Sequence, residues 1–178
     1  HSHPEEGSFS SLDIQISEKR KLESFIYKVK DDEFQCYQPQ GMEIPLVGRF
    51  YVMGIFDCFS LVQDYFRNKF NIEISELNHE IRYLTEEDEY SKREDNVKEN
   101  EVLVNHFISN GFIKVNGLKE HDIILIKYGK IKGAAHCMIY VGNNRILRHA
   151  YNSLSDFETY SKYLKRTTIC CLRHRSFI

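Results

Sequence analysis

Between Asp57 and Phe70 the apolar residues Leu61, Val62, Tyr65, Phe66 and Phe70 recur at three- and four-residue steps, whereas beyond residue 121 the chain turns to short β-rich runs. The first spacing is that of a helix with one apolar face and the second that of strands. A chain patterned this way has to pack a helix onto a sheet. Asp57 stands where an N-cap belongs, which predicts a helix beginning at Cys58. A second helix is predicted over residues 102–110, closed by Gly111. The β-rich runs cover residues 122–128, 136–141, 145–149 and 167–173, and Gly142-Asn143-Asn144 is a tight-turn signal joining the second and third into a hairpin. Helix, helix, then antiparallel strands is an α+β order with a helical layer on one face of a sheet.

The front of the chain is different. Residues 1–24 are polar and end in Ser17-Glu18-Lys19-Arg20-Lys21, which reads as linker. Residues 25–29 and 33–37 look like two short strands joined at Lys30-Asp31-Asp32, and the stretch from Pro39 to Pro45 then breaks the pattern. This divides the chain into a segment 1–43 and a main domain 44–178. A dense charge run over 86–101 reads as a solvated helix or loop. The total of 178 residues is about one domain with a short appendage. With 42% apolar and 28% charged residues it has the composition of an ordinary soluble globule, and no run approaches the ~18 apolar residues of a membrane span.

The net charge of −2 argues against a dedicated nucleic-acid binder. It conceals a split: 22 acidic and 12 basic residues over 1–110, then 4 and 12 over 111–178. Five cysteines, an odd number without metal-finger spacing, read as reduced thiols rather than a disulfide framework. The chain opens on His1, with no initiator Met and no basic-then-apolar leader, so no secretory signal is expected and the sequence reads as a fragment.

Cys58 is the first candidate for chemistry. A thiol in the first turn of a helix meets unpaired N–H groups and the positive end of the dipole, both of which favour thiolate. The alternative is a buried core cysteine. His136 opens a strand after the small residues Gly133-Ala134-Ala135, which permit the close approach that a Cys-His pair requires; a structural histidine is the alternative. A third group has to orient the imidazole. If the Gly142-Asn143-Asn144 hairpin closes with a two-residue loop, paired residue numbers sum to an odd value. His149 then shares the face of His136 and Arg148 takes the opposite one. Arg148 has no acceptor, and its charge disfavours imidazolium. Cys137 is expected to point away from His136, and Cys170 and Cys171 to opposite faces. His79, His106, His121 and His174 read as structural or solvated.

Tyr51-Val-Met-Gly54 followed by Phe56-Asp57-Cys58-Phe59-Ser60-Leu61-Val62 resembles the Tyr-x-x-Gly…Asp-Cys-Ser-x-Leu-Val signature of NlpC-type cysteine peptidases, which are papain-like cell-wall hydrolases. Gly111-Phe112, Asp122-Ile-Ile-Leu and Ala135-His136-Cys-Met-Ile-Tyr140-Val-Gly142 are similar to later landmarks of that family, in the same order. Pro45-Leu46-x-Gly48-Arg49, and Asp57-Cys58 leading to Asp64-Tyr65, resemble the branch found in tail assembly proteins of lambda-like phages. There a metallopeptidase-like domain of the JAMM type precedes the NlpC-type domain. His1-Ser2-His3-Pro4 and Ser10-Ser11-Leu12-Asp13 are similar to the JAMM zinc motif, one residue short and without its upstream Glu. The resemblance makes residues 1–43 the C-terminal remnant of that domain with a linker, and His1, His3 and Asp13 an incomplete motif that holds no metal in this chain.

The resemblance implies a papain-like fold in which the nucleophile helix packs on an antiparallel sheet. It implies Cys58 as nucleophile, His136 as general base and a third polar residue, which motif alignment places at Arg148 and hairpin parity with the chemistry at His149. Tyr51 and Asp57 would line the substrate cleft and hold the peptide's free amine. The implied substrate is the peptidoglycan stem peptide, cut between γ-D-glutamyl and diaminopimelate without metal or organic cofactor. Implied partners are other phage tail-tip proteins, in the virion tail or in the host cytoplasm during assembly, with action on the periplasmic wall. The rival reading from another class is a catalytically silent structural or assembly component of the tail tip.

Overall fold

The computed structural model describes residues 8–77, 101–127 and 133–178. The charge run, apart from Glu101, lies outside these residues, as do His1, His3 and His79. The chain forms two compact units, His1–Pro45 and Leu46–Ile178.

In the first unit, residues 11–20 form a helix rather than the linker expected from their polarity: α1 spans Ser11–Arg20. No apolar periodicity announces it, and its signal is local. Ser10 Oγ accepts the Asp13 N–H (3.2 Å) and Asp13 Oδ2 accepts the Ser10 N–H (2.8 Å), a capping box with Asp in place of the usual Glu. Lys21 ends the helix in the left-handed region. Strands β1 (Ser24–Lys28) and β2 (Glu33–Tyr37) pair antiparallel. Glu18, on α1, accepts the Tyr37 hydroxyl (2.5 Å) and the N–H groups of Gln40, Gly41 and Met42, so one carboxylate fastens the helix to the chain that leaves β2.

The second unit contains helices α2 (Cys58–Phe70) and α3 (Val102–Ser109), then strands β3 (Phe112–Val115), β4 (Ile123–Ile126), β5 (His136–Tyr140), β6 (Arg145–Arg148) and β7 (Asp156–Thr159). A short helix α4 (Lys162–Thr167) and strand β8 (Thr168–His174) follow. The six strands form one antiparallel sheet in the order β3-β8-β4-β5-β6-β7. Leu61, Val62 and Phe66 of α2 and Phe107 of α3 bury against Ile123, Leu125, Cys137, Ile139 and Leu147 on one face. The opposite face is covered as well: Ile124, Ile126, Met138 and Ile146 pack with Tyr160 and Leu164. That second layer explains why β4 is a continuous Ile-Ile-Leu-Ile run, fully buried, instead of an alternating one.

The β5–β6 hairpin has a three-residue loop. Ile139 pairs with Leu147 and Tyr140 with Ile146, the Val141 N–H bonds the Arg145 carbonyl (3.0 Å), and Gly142, Asn143 and Asn144 all have positive φ (82°, 50° and 57°). Paired numbers therefore sum to an even value, against the two-residue turn expected from the sequence. Two successive Asn residues tolerate the left-handed region, which extends the turn by one position.

Asp122, fully buried before β4, receives Arg173 Nε on Oδ1 and Nη2 on Oδ2, both at 2.8 Å, and the Lys119 N–H on Oδ2 at 2.7 Å. Removing one partner of such a pair strands the other charge. Arg173→Met is expected to lower unfolding free energy by about 3–5 kcal/mol in urea titrations, and the double change Asp122→Leu/Arg173→Met to recover most of it.

Candidate active site

The approach to α2 is a tight loop. Val52 and Phe56 pair as an isolated bridge, with N–H···O bonds of 2.8 and 2.7 Å, and Gly54 takes the positive φ (74°) that the turn needs. Asp57 then caps the helix. Its Oδ1 accepts the Ser60 N–H and its Oδ2 the Gly54 N–H, each at 2.8 Å, while Ser60 Oγ accepts the Asp57 N–H at 2.8 Å. Cys58 is thereby fixed as the first helical residue, partly exposed, in the turn whose N–H groups have no intrahelical acceptor.

Cys58 meets β5 at its start. The Cys137 side chain hydrogen-bonds the Cys58 sulfur, and His136 both bonds it and faces it with positive charge. These effects outweigh burial and the negative charge of Asp57, and they hold the Cys58 thiol well below its ordinary range. His136 is almost fully buried. Cys137, expected only to point away from His136, thus touches the nucleophile candidate itself. It lies on the α2-facing side of β5, as strand alternation from Ile139 could have indicated.

His149 is also at this end of α2. Its ring stands edge-on to Tyr51, with centroids 5.2 Å apart, and Tyr51 stands edge-on to Tyr151 at 5.4 Å. Burial pushes the His149 imidazole below its ordinary range, with the Cys58 sulfur, the Arg49 carbonyl and Asp57 opposing that shift and the Arg49 guanidinium adding to it. The parity expected to bring His149 here does not hold. The even register sets His149 on the face of Leu147 and Cys137, and Arg148 on that of Ile146 and Met138. Both histidines sit at strand ends: His136 opens β5 and bonds the Cys58 sulfur, and His149 follows the last residue of β6, where the charge of that sulfur acts on its ring. Arg148 instead pairs with Glu158 Oε2 (2.5 Å) and Asp156 Oδ1 (3.7 Å) on β7.

The structure therefore brings Cys58, His136, His149, Tyr51 and Asp57 together. Asp13 sits in the other unit, where its carboxylate is engaged by Ser10. Among the described residues no group of His, Cys, Asp or Glu is arranged to hold a metal ion. His106, His121 and His174 bond the Ser75 carbonyl, the Tyr65 hydroxyl and the Ser176 N–H respectively. The Arg49–Asp64 ion pair beside the site was not singled out as functional from the sequence. Its signal was an Asp within the fully buried stretch of α2, which calls for a buried cation.

A depressed helix-terminal thiol bonded to a strand histidine is the constellation of a thiol hydrolase on an α+β scaffold. The NlpC/P60 family model matches residues 48–173. The chain belongs to the NlpC/P60 family, whose members are cysteine peptidases and peptidoglycan endopeptidases, and it is an enzyme of that class. Tail tip assembly protein K of Escherichia phage N15 is 28% identical over 176 residues, covering 98% of this chain and 68% of that protein.

Alkylation of Cys58 by iodoacetamide, followed against pH by mass spectrometry, should have its midpoint well below the ~8.5 of a free thiol. Cys137→Ala and His136→Ala should each move that midpoint upward, because each removes a group that favours the thiolate. An unmoved midpoint in both would contradict the electrostatics described.

Proposed function

We propose that this chain is a phage tail cysteine peptidase that hydrolyses peptidoglycan stem peptides between γ-D-glutamyl and diaminopimelate, during tail assembly or genome entry. The observation that carries the reading is the Cys58 sulfur at the head of α2, beside His136 and Cys137, which hold its thiol well below the ordinary range. Family membership supports the wall peptide as substrate, and the phage relative supports the tail as its setting, with other tail-tip proteins as partners.

In the proposed cycle the Cys58 thiolate attacks the γ-glutamyl carbonyl carbon, and the oxygen takes up the negative charge beside the Cys58 N–H at the helix terminus. Collapse expels the diaminopimelate amine, which takes its proton from His136, and leaves a thioester on Cys58. His136, now neutral, removes a proton from water; hydroxide adds to the thioester, the C–S bond breaks, and the carboxylic acid departs with the thiolate restored. His149 holds the catalytic imidazole in place. Tyr51 forms the wall of the cleft, and Asp57, already engaged by two backbone N–H groups, contributes negative charge toward a free substrate amine.

Purified muropeptides tested by mass spectrometry should yield fragments with a new free diaminopimelate amine. Cys58→Ala and His136→Ala should lower kcat by at least about 1,000-fold with the fold intact by circular dichroism. His149→Ala should lower it by about 10- to 100-fold, while Arg148→Ala should stay close to the parent. Undiminished digestion by Cys58→Ala would refute the enzyme mechanism, and a dead Arg148→Ala beside an active His149→Ala would reassign the third place.

A further inference from the structure

Arg49 and Asp64 flank the nucleophile in the sequence, and the cycle above uses neither side chain. Both are 2% exposed, and Nη1 of Arg49 lies 2.5 Å from Oδ2 of Asp64. The other Asp64 oxygen is bonded by Arg67, one turn further along α2 and partly open to solvent. The Arg49 guanidinium also lies over the Phe56 ring, 5.5 Å from its centroid. A buried pair of this kind gives little stability over an apolar pair of the same volume. Its role has to be sought in what it places.

The main chain of Arg49 supplies the answer. Its N–H donates to Ser155 Oγ (2.9 Å), its carbonyl accepts the Ser155 N–H (3.0 Å), and the Gly48 N–H donates to the Ser155 carbonyl (2.8 Å). Residues 48 and 49 are thus bound to residue 155 as a short extended pair. The same Arg49 carbonyl faces the ring of His149. His149 is fully buried, and neither ring nitrogen makes a hydrogen bond of ordinary geometry among the described residues. Bonds of this kind are often long before substrate binds and tighten in the working complex. Arg49 therefore lies between the two sides of the site, its side chain paired with Asp64 on the nucleophile's helix and its carbonyl acting on the His149 ring.

We infer that Arg49 is a positioning residue: its ion pair with Asp64 sets the place of the carbonyl that accepts a ring N–H from His149 and so orients that ring toward the Cys58 end of α2. The inference rests on the reading of His149 as the third residue of the catalytic group. It assigns the buried charge a geometric task rather than a stabilising one.

In the parent protein, NMR of labelled histidine nitrogens should show His149 as one neutral tautomer with its ring proton protected from exchange; a freely exchanging mixture of tautomers would overturn the inference. Kinetics on muropeptides then compare Arg49→Lys with the double variant Arg49→Met/Asp64→Leu. The double variant should melt at or above the parent's Tm, yet its kcat should fall about 10- to 100-fold with KM nearly unchanged, and its His149 signal should lose the single tautomer. Arg49→Lys should recover part of kcat. Full kcat in a folded double variant, with His149→Ala impaired, refutes the positioning role and leaves the assignment of His149 standing. Full kcat in His149→Ala refutes that assignment and the inference with it. If the double variant does not fold, Arg49→Lys decides: parental kcat together with an unchanged His149 tautomer overturns the inference.

Discussion

Asp57 binds two backbone N–H groups with one carboxylate, that of Gly54 before it and that of Ser60 after it, and Ser60 returns a bond to the Asp57 N–H. A cap of this type is worth about 0.5–2 kcal/mol to a helix. Its greater consequence here is positional. The cap decides that Cys58, and no neighbour, is the first residue of α2, with its sulfur over the opening of β5 and its N–H at the helix terminus. It also places a negative charge beside the thiol, which by itself opposes ionisation. Cys137 and His136 act against that charge, so the cap that positions the proposed nucleophile makes the groups that lower the pKa of its thiol necessary.

Those partners depend on the sheet. β4 is buried on both faces, and it fixes β5 through the pairs Ile126–His136 and Leu125–Cys137. Two adjacent residues of one strand, His136 and Cys137, then both act on one sulfur, His136 being the first residue of β5. The Asp122–Arg173 pair secures the entry to β4 against β8 and so holds the strand that β5 is built on.

Much of this was legible in the sequence because α2 and strands β4, β5, β6 and β8 carry strong periodicity or β-rich runs. The elements missed are short or lack such a pattern. β3 and β7 have four residues each, β7 with two acidic ones at the sheet edge, and in α1 the three apolar residues Leu12, Ile14 and Ile16 alternate rather than follow a helical step. Hairpin parity failed for a physical reason: Gly-Asn-Asn can supply two or three left-handed residues, and the count decides which face every later side chain takes. His149, past the end of β6, nevertheless lies where the Cys58 sulfur acts on its ring. Arg49 and Asp64 were visible as residues but not as a pair, because nothing local to either reports that a loop segment folds back over the helix.

The site gathers five buried polar residues: Arg49, Asp57, Asp64, His136 and His149 are all nearly inaccessible. A thiolate in such surroundings needs one positive partner close by, and more than one protonated imidazole would repel the other. The two histidines are held in different electrostatic surroundings. His136 is one of the groups that lower the pKa of the Cys58 thiol, whereas burial and the Arg49 guanidinium keep His149 toward its neutral form. That guanidinium is itself compensated by Asp64, so its field reaches the ring reduced. A neutral His149 keeps one ring N–H to donate and one nitrogen to accept, which is what an orienting group requires and what a second imidazolium would lack.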